Sequence, residues 1–118
     1  MQGLIGPLKE LAEFEELCKN KKKDAGMIRV CGCVNSQKSH MMYAIGDGCK
    51  YKVIACSSET KAKQIYEEYR FLDNNTYLYP AKDFLFYKAD IRSKELVKQR
   101  MEGIQAVLSG TPVTIVTS

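Results

Sequence analysis

Hydrophobic residues recur at three- and four-residue steps along the first part of the chain. This spacing is typical of one apolar stripe on an amphipathic helix, and it comprises Leu4, Leu8, Leu11, Phe14, Leu17 and Cys18. The series runs into lysines and then into Asp24-Ala25-Gly26, residue types that commonly end a helix. The pattern predicts an amphipathic helix and a basic linker over residues 1–25.

After Gly26, short apolar runs alternate with helical patterns. The apolar runs predict strands at 27–33 (MIRVCGC), 51–56 (YKVIAC), 76–79 (TYLY) and 113–116 (VTIV). Because these runs are continuous rather than alternating, both faces of each strand are expected to be covered. The order predicts an α/β fold over residues 26–118, with three layers and a mostly parallel sheet flanked by helices.

Three helical segments separate the predicted strands. The first covers residues 38–45, and the second is capped at Ser57-Ser58 and runs to Leu72. The third is a long helix capped at Ser93. Its apolar residues are expected to face inward onto the sheet: Leu96, Val97, Met101, Ile104, Val107 and Leu108.

Composition narrows the class of protein. The chain has 118 residues, 45% of them hydrophobic and 27% charged, which is enough for one domain with one core. It has neither a membrane-spanning run nor a secretory signal, and we expect a cytoplasmic protein. The net charge is +4, partly from Lys19, Lys21, Lys22 and Lys23. A solvated helix end explains this run better than nucleic-acid contact does.

The five cysteines do not form a metal-binding pattern. They are odd in number and irregularly spaced, no Cys-x-x-Cys pair is present, and the chain has one histidine. We therefore expect reduced thiols and no metal site.

The segment after the first predicted strand resembles a phosphate-binding loop. The pattern G-x-x-x-x-G-K-[ST], placed between a strand and a helix, cradles nucleotide phosphates. Gly32, Lys38 and Ser39 match it at the right spacing, but Gln37 stands where the second glycine belongs. A long side chain there should occupy the space of the β-phosphate. The alternative is that this segment is the ordinary first strand-to-helix turn of a doubly wound α/β domain, unrelated to phosphate binding.

The remaining parts of a nucleotide hydrolase are also absent from the sequence. This class needs an acidic residue at a strand end to hold Mg²⁺, and none of the predicted strands ends in Asp or Glu. We therefore expect a degenerate P-loop (RecA- or helicase-like) framework that is not an enzyme. It would have no catalytic residues and would bind no cofactor at Gly32, Gln37, Lys38 and Ser39.

A second stretch resembles the first domain of the bacterial transcription-repair coupling factor, Mfd. Members of that family show an apolar strand, a Pro, an acidic residue, a Leu-Pro-Tyr-like element and a helix with an Arg-Leu pair. This chain has Pro80, Asp83 one place displaced, Leu85, Phe86 instead of Pro, Tyr87, and Arg100 followed by Met101. The resemblance extends over residues 26–118. The excision-repair helicase UvrB is similar here but keeps an intact phosphate loop, so Gln37 favours Mfd.

The resemblance implies a role and partners. In that family the first domain belongs to a UvrB-like module without ATPase activity, and an adjoining segment recruits UvrA. Other parts of the parent chain contact RNA polymerase and DNA, and its distant motor uses ATP and Mg²⁺. Because Thr117-Ser118 follows an apolar strand directly, we expect the chain to be a fragment of such a parent, with the remaining UvrB-like module as its nearest partner and no membrane partner.

Aromatic residues cluster near the same stretch. Tyr77, Tyr79, Phe84, Phe86 and Tyr87 could stack on bases if they were exposed on a basic surface. Packing under a long loop is favoured, because few basic residues flank Phe84 and Phe86.

Two further hypotheses remain beside the non-catalytic domain. One is the first half of a working P-loop ATPase or helicase with a variant loop. The other is a stand-alone flavodoxin-like binding domain, which the abrupt end of the chain and the lack of an acidic cluster disfavour.

Overall fold

The computed structural model of the chain describes residues 2–22, 26–81 and 90–118. It consists of two compact units, Met1–Asp47 and Gly48–Ser118. Several predicted features lie outside the described residues, namely Lys23, the helix stop at Asp24-Ala25, and the aromatic and acidic residues between 82 and 89. The predicted division into 1–25 and 26–118 stays a prediction. In the sequence, the boundary between the two compact units falls between Asp47 and Gly48.

In the described parts of the N-terminal unit, all regular secondary structure is helical. A 3-10 turn at Gln2–Leu4 precedes α1 (Gly6–Lys9), α2 (Ala12–Lys22) and α3 (Asn35–Ile45). The single predicted helix is therefore interrupted between Lys9 and Ala12. Ile5, Phe14 and Ala44 form the core of this unit, whereas Leu4 and Leu11 remain exposed. Pro7, at the start of α1, lacks the N–H that would let a helix continue through it from Gln2.

One lysine of the basic run has a structural role. The Lys21 ammonium donates to the carbonyl oxygens of Ile45 at 2.6 Å and Asp47 at 3.1 Å, at the C-terminal end of α3. Lysines stabilise this end of a helix because its last carbonyls lack partners within the helix. Lys19 instead pairs with Glu15 on the surface at 3.3 Å. The run is thus only partly a solvated helix end.

The C-terminal unit contains the sheet. Its elements are β1 (Tyr51–Ala55), α4 (Glu59–Leu72), β2 (Thr76–Tyr79), α5 (Asp90–Leu108) and β3 (Val113–Thr117). The strands form a three-stranded parallel sheet in the order β1-β3-β2. The predicted α/β class and the parallel sheet flanked by helices are confirmed at this level.

The register assigns side chains to the two faces of the sheet. Val116 lies opposite Ile54 and Leu78, and Leu78 and Val116 form a buried cluster with Ala62 of α4. On the other face, Gly103 of α5 lies beside Ile115. Successive strand residues point to opposite faces, so α4 and α5 cover opposite faces of the sheet.

The predicted strand at residues 27–33 is wrong. This segment has no regular secondary structure, and the side chains of Ile28 and Val30 are 40% and 43% exposed. A β-branched run favours extended backbone, but a strand also requires a ladder of hydrogen bonds. Within the described ranges, the backbone of 27–33 makes no hydrogen bond to another backbone group. Gly32, at a φ of +88°, also interrupts the pleat.

The predicted inward face of the long helix is also largely wrong. Five of its apolar side chains are exposed: Val97 at 56%, Met101 at 60%, Ile104 at 43%, Val107 at 38% and Leu108 at 81%. The helix approaches the sheet through Gly103, which is buried beside Tyr79 and Ile115. Since the absence of a side chain sets this line of contact, most of the neighbouring apolar side chains remain exposed.

Gly103→Ala is expected to raise the free energy of unfolding by up to about 1 kcal/mol, because alanine is the better residue inside a helix. An added Cβ would lie 3.6 Å from Cδ1 of Ile115 and 3.8 Å from Cδ2 of Tyr79, both ordinary contacts. Urea unfolding followed by far-UV circular dichroism measures the change. Gly110→Ala is the control and should destabilise, because Gly110 has a φ of +78°. A loss of stability in Gly103→Ala would show that α5 cannot accommodate one methyl group.

Candidate functional site

The residues of the predicted phosphate loop lie mainly within a helix. α3 begins at Asn35, three positions before the start predicted at Lys38. Only Cys33 and Val34 therefore separate Gly32 from the first helical residue. A phosphate-binding loop needs several irregular residues whose N–H groups converge on one anion. In this structure the N–H groups of Gln37 and Lys38 point along the helix, to the carbonyl oxygen of Val34 at 3.0 and 3.2 Å.

Gln37 has a defined structural role at this position. Its Oε1 accepts a hydrogen bond from the backbone N–H of Val34 at 3.3 Å. A Gln at the third helical position commonly reaches back in this way and satisfies a donor at the start of the helix. The side chain that replaces the glycine of the phosphate-loop pattern thus stabilises the beginning of α3.

Lys38 and Ser39 have different surroundings. The Lys38 ammonium is exposed and donates to Oδ1 of Asn35 at 3.4 Å, whereas Ser39 is 4% exposed and part of the packed interior. In a working loop, the lysine and the hydroxyl meet the same phosphate and its Mg²⁺. This arrangement does not bring the two groups to a common ligand position. The absence of nucleotide binding at Gly32, Gln37, Lys38 and Ser39 stays a prediction.

The carboxyl end of the sheet is where parallel α/β folds place ligands. The residues there are mostly small: Cys56, Ser57 and Ser58 follow β1, and Ser118 follows β3. Ser58 caps α4, as predicted, by accepting from the Lys61 N–H at 3.3 Å. Burial raises the pKa of the Cys56 thiol, and the nearby Lys61 charge partly offsets the rise. Within the described part of the chain, no three His, Cys, Asp or Glu side chains could hold a metal ion together.

A polar cluster lies at the opposite end of the sheet. Oδ2 of Asp73 is 3.2 Å from the Lys52 ammonium and accepts from the Thr114 hydroxyl at 3.2 Å. Its Oδ1 accepts from the Asn75 N–H at 3.0 Å. Asp73 therefore joins β1, β3 and the turn before β2. The sequence patterns did not indicate this cluster, although a lysine inside the apolar run 51–56 was a signal.

Arg100 of α5 contacts the residues at the end of β2. Its Nε donates to the carbonyl oxygen of Pro80 at 2.9 Å, and the guanidinium lies 5.2 Å from the centre of the Tyr79 ring. Pro80 is buried. Arg100 therefore fixes the end of β2 against α5, and Pro80 and Arg100, two of the residues named for the resemblance, are in contact.

The C-terminal unit has an exposed apolar surface, here called the uncovered apolar face. It comprises Tyr51, Val53, Val97, Met101, Ile104 and Leu108, of which Val53 is 72% exposed. Ile104 and Leu108 border a cavity of about 230 Å³ together with Ile115, and Ile115 is the cross-strand partner of Val53. Exposed apolar side chains grouped in this way are typical of interaction surfaces.

No family model, curated protein or solved structure matches this chain. Among the described residues, no helix is long and apolar enough to cross a membrane. Function must therefore be argued from the residues and their contacts.

We predict at most very weak ATP binding and no ATP hydrolysis, for the chain and for Gln37→Gly. The substitution frees space but removes the Gln37–Val34 hydrogen bond and places glycine inside α3, which should cost about 1–2 kcal/mol. Titration with a fluorescent ATP analogue and Mg²⁺ tests binding. Gln37→Ala is the matched control, since it loses the same hydrogen bond but keeps an ordinary helical residue. Micromolar binding that disappears with Lys38→Ala would contradict the prediction.

Proposed function

We propose that this chain is a non-catalytic structural and interaction domain of a bacterial transcription-repair coupling factor. It would form the first part of the UvrB-like module that links stalled RNA polymerase to nucleotide excision repair in the cytoplasm. UvrA would bind through the adjoining segment, and RNA polymerase and DNA would bind other parts of the parent. ATP and Mg²⁺ would act in the parent's motor and not in this domain.

The uncovered apolar face is the main observation in support of this proposal. An amphipathic helix normally turns its apolar stripe toward a core, yet Val97, Met101 and Leu108 are each more than half exposed. The rest of a larger module would bury this stripe and the adjoining Val53. We infer that the remaining UvrB-like module is the structure that covers it.

Two further observations favour the same role. Arg100, Pro80 and Tyr79 carry part of the family resemblance, and they contact one another. Gln37, the residue that departs from a working phosphate loop, is engaged at the start of α3. The alternative is the first half of a working P-loop ATPase with a variant loop. That alternative requires a parent chain that supplies the other half and whose nucleotide binding depends on Lys38. The ATP titration is therefore repeated on the parent chain with and without Lys38→Ala, and a loss of binding in the variant would favour the alternative.

A chimera tests the proposal directly. The first domain of a characterised bacterial transcription-repair coupling factor would be replaced by this chain. We expect the chimera to retain UvrA recruitment and repair of the transcribed strand after RNA polymerase stalls. A chimera that folds and keeps its motor ATPase but does neither would overturn the proposal.

Matched substitutions on α5 test the role of the uncovered apolar face. Met101→Lys should leave the stability of the isolated chain nearly unchanged, because Met101 is 60% exposed. In the chimera it should weaken repair, because a charge would be buried against the remaining module. Glu95→Lys is the control, since Glu95 is exposed on the same helix but lies about 120° around the helix axis from Met101. Equal effects of the two substitutions would contradict the assignment of this face.

A further inference from the structure

Two cysteines of the N-terminal unit border one cavity. The cavity is about 370 Å³ in volume and lies between α2 and the irregular segment 28–33, and both Cys31 and Cys33 line it. Cys31 is exposed and Cys33 is partly buried. Its volume is within the range of small-molecule sites.

The residue between the two cysteines lets them share this cavity. In an extended strand, residues two apart lie roughly 6.4–6.8 Å from each other, at the upper limit of the span of a disulfide, which is roughly 4.4–6.8 Å between Cα atoms. Gly32 has a φ of +88°, and a Cβ placed there would meet no atom within 4 Å. This positive φ departs from the extended strand conformation, and both neighbouring cysteines line the same cavity.

The backbone around the pair is also free to adjust. Among the described residues, 27–33 make no backbone–backbone hydrogen bond. Closing a small ring between Cys31 and Cys33 would therefore break no ladder and no helical turn. Cys56, by contrast, packs against the core cluster of Ala62, Leu78 and Val116.

We propose that Cys31-Gly32-Cys33 is a dithiol site that exchanges with small cationic disulfides held in the adjoining cavity. The cavity has an apolar wall that includes Phe14 and Met41, and among the described residues the charged ones that line it are Glu13, Glu16 and Arg29. Two negative charges against one positive charge favour a disulfide with ammonium groups over one with carboxylates.

The reaction is a two-step thiol–disulfide exchange. The Cys31 thiolate attacks one sulfur of the substrate disulfide, forms a mixed disulfide and releases the first substrate thiol, which takes up the proton that Cys31 lost. The Cys33 thiolate then attacks Sγ of Cys31 and displaces the second substrate thiol, which is protonated likewise. The protein dithiol is oxidised by two electrons to the Cys31–Cys33 disulfide, and the substrate disulfide is reduced to two thiols.

The experiment treats the reduced chain with cystamine and follows the intact mass and the cysteine peptides. We expect the loss of two hydrogen atoms and a Cys31–Cys33 link that dithiothreitol reverses. Cys33→Ser should stop at the mixed disulfide on Cys31. Gly32→Val should slow ring closure about tenfold, because a β-branched residue at positive φ is strained. Cys56→Ser, the control, should react like the chain without substitutions.

Specificity is measured against a six-residue peptide of the same sequence, Arg-Val-Cys-Gly-Cys-Val. Relative to this peptide, the chain should prefer cystamine to dithiodiglycolate several-fold. If the chain without substitutions retains the mixed disulfide, or links Cys31 to another cysteine, the proposed dithiol site is overturned. Equal or reversed preference for the two disulfides would overturn the assignment of the cavity as the substrate site.

Discussion

Asp73→Ala is expected to lower the free energy of unfolding of the C-terminal unit by about 2–3 kcal/mol. The substitution removes a carboxylate that accepts from Thr114 and Asn75 and pairs with Lys52. It leaves the Lys52 ammonium, whose side chain is 16% exposed, without its partner. Breaking a fully buried pair costs about 3–5 kcal/mol, and partial exposure of both side chains lowers this figure.

Urea unfolding measures the loss, and hydrogen exchange of the β3 amides assigns it to the sheet. Glu67→Ala is the control, because Glu67 is an exposed carboxylate on α4 of the same unit and should change stability by less than about 0.5 kcal/mol. A double-mutant cycle with Lys52→Met isolates the pair, since it subtracts the effects of Thr114 and Asn75. Equal losses in Asp73→Ala and Glu67→Ala would show that the cluster does not stabilise the fold.

Local sequence was sufficient for the strands of the C-terminal unit, whereas the cap predicted at Ser93 is wrong, because α5 begins at Asp90. The runs predicted at 51–56, 76–79 and 113–116 correspond to β1, β2 and β3 within one residue at each end. Each is a continuous apolar run bounded by turn residues, and such signals depend on near neighbours alone. The cap at Ser58 belongs to the same class, because its partner lies three residues away.

The wrong predictions involve partners that lie far away in sequence or contacts that side-chain size controls. Residues 27–33 have the composition of a strand, but composition does not specify a neighbouring strand to pair with. The periodicity of α5 predicted an inward apolar stripe, whereas the contact line follows Gly103, which carries no side chain. α3 starts early because Gln37 reaches back to Val34, a contact that the phosphate-loop interpretation did not consider.

The site was predicted less well than the fold. A motif specifies residue types at given spacings, but its chemistry requires that these residues converge on one ligand position. Lys38 and Ser39 are adjacent in sequence, yet one is exposed and the other is buried. Asp73 shows the converse, because its partners Lys52 and Thr114 are 21 and 41 residues away, and no local pattern connects them.

Val116→Ala is expected to destabilise the C-terminal unit by about 2–3 kcal/mol, because it removes two buried methyl groups and leaves a cavity. Val116 is 0% exposed, lies on the central strand, and packs against Ala62 and Leu78. α4 covers one side of this position and flanking strands cover the others, so the surrounding residues have little freedom to fill the space.

Val53→Ala is the matched control, since it makes the same chemical change in the neighbouring strand of the same sheet. Val53 is 72% exposed, so its loss should cost less than about 1 kcal/mol, mainly through lower strand preference. The free energies of unfolding of both variants are compared with that of the chain without substitutions by urea unfolding. The difference between them measures the burial of Val116 under α4, and equal losses would contradict the assignment of the core to that face. In a larger protein whose remaining module covers the uncovered apolar face, Val53→Ala should become more costly, whereas the cost of Val116→Ala should stay the same.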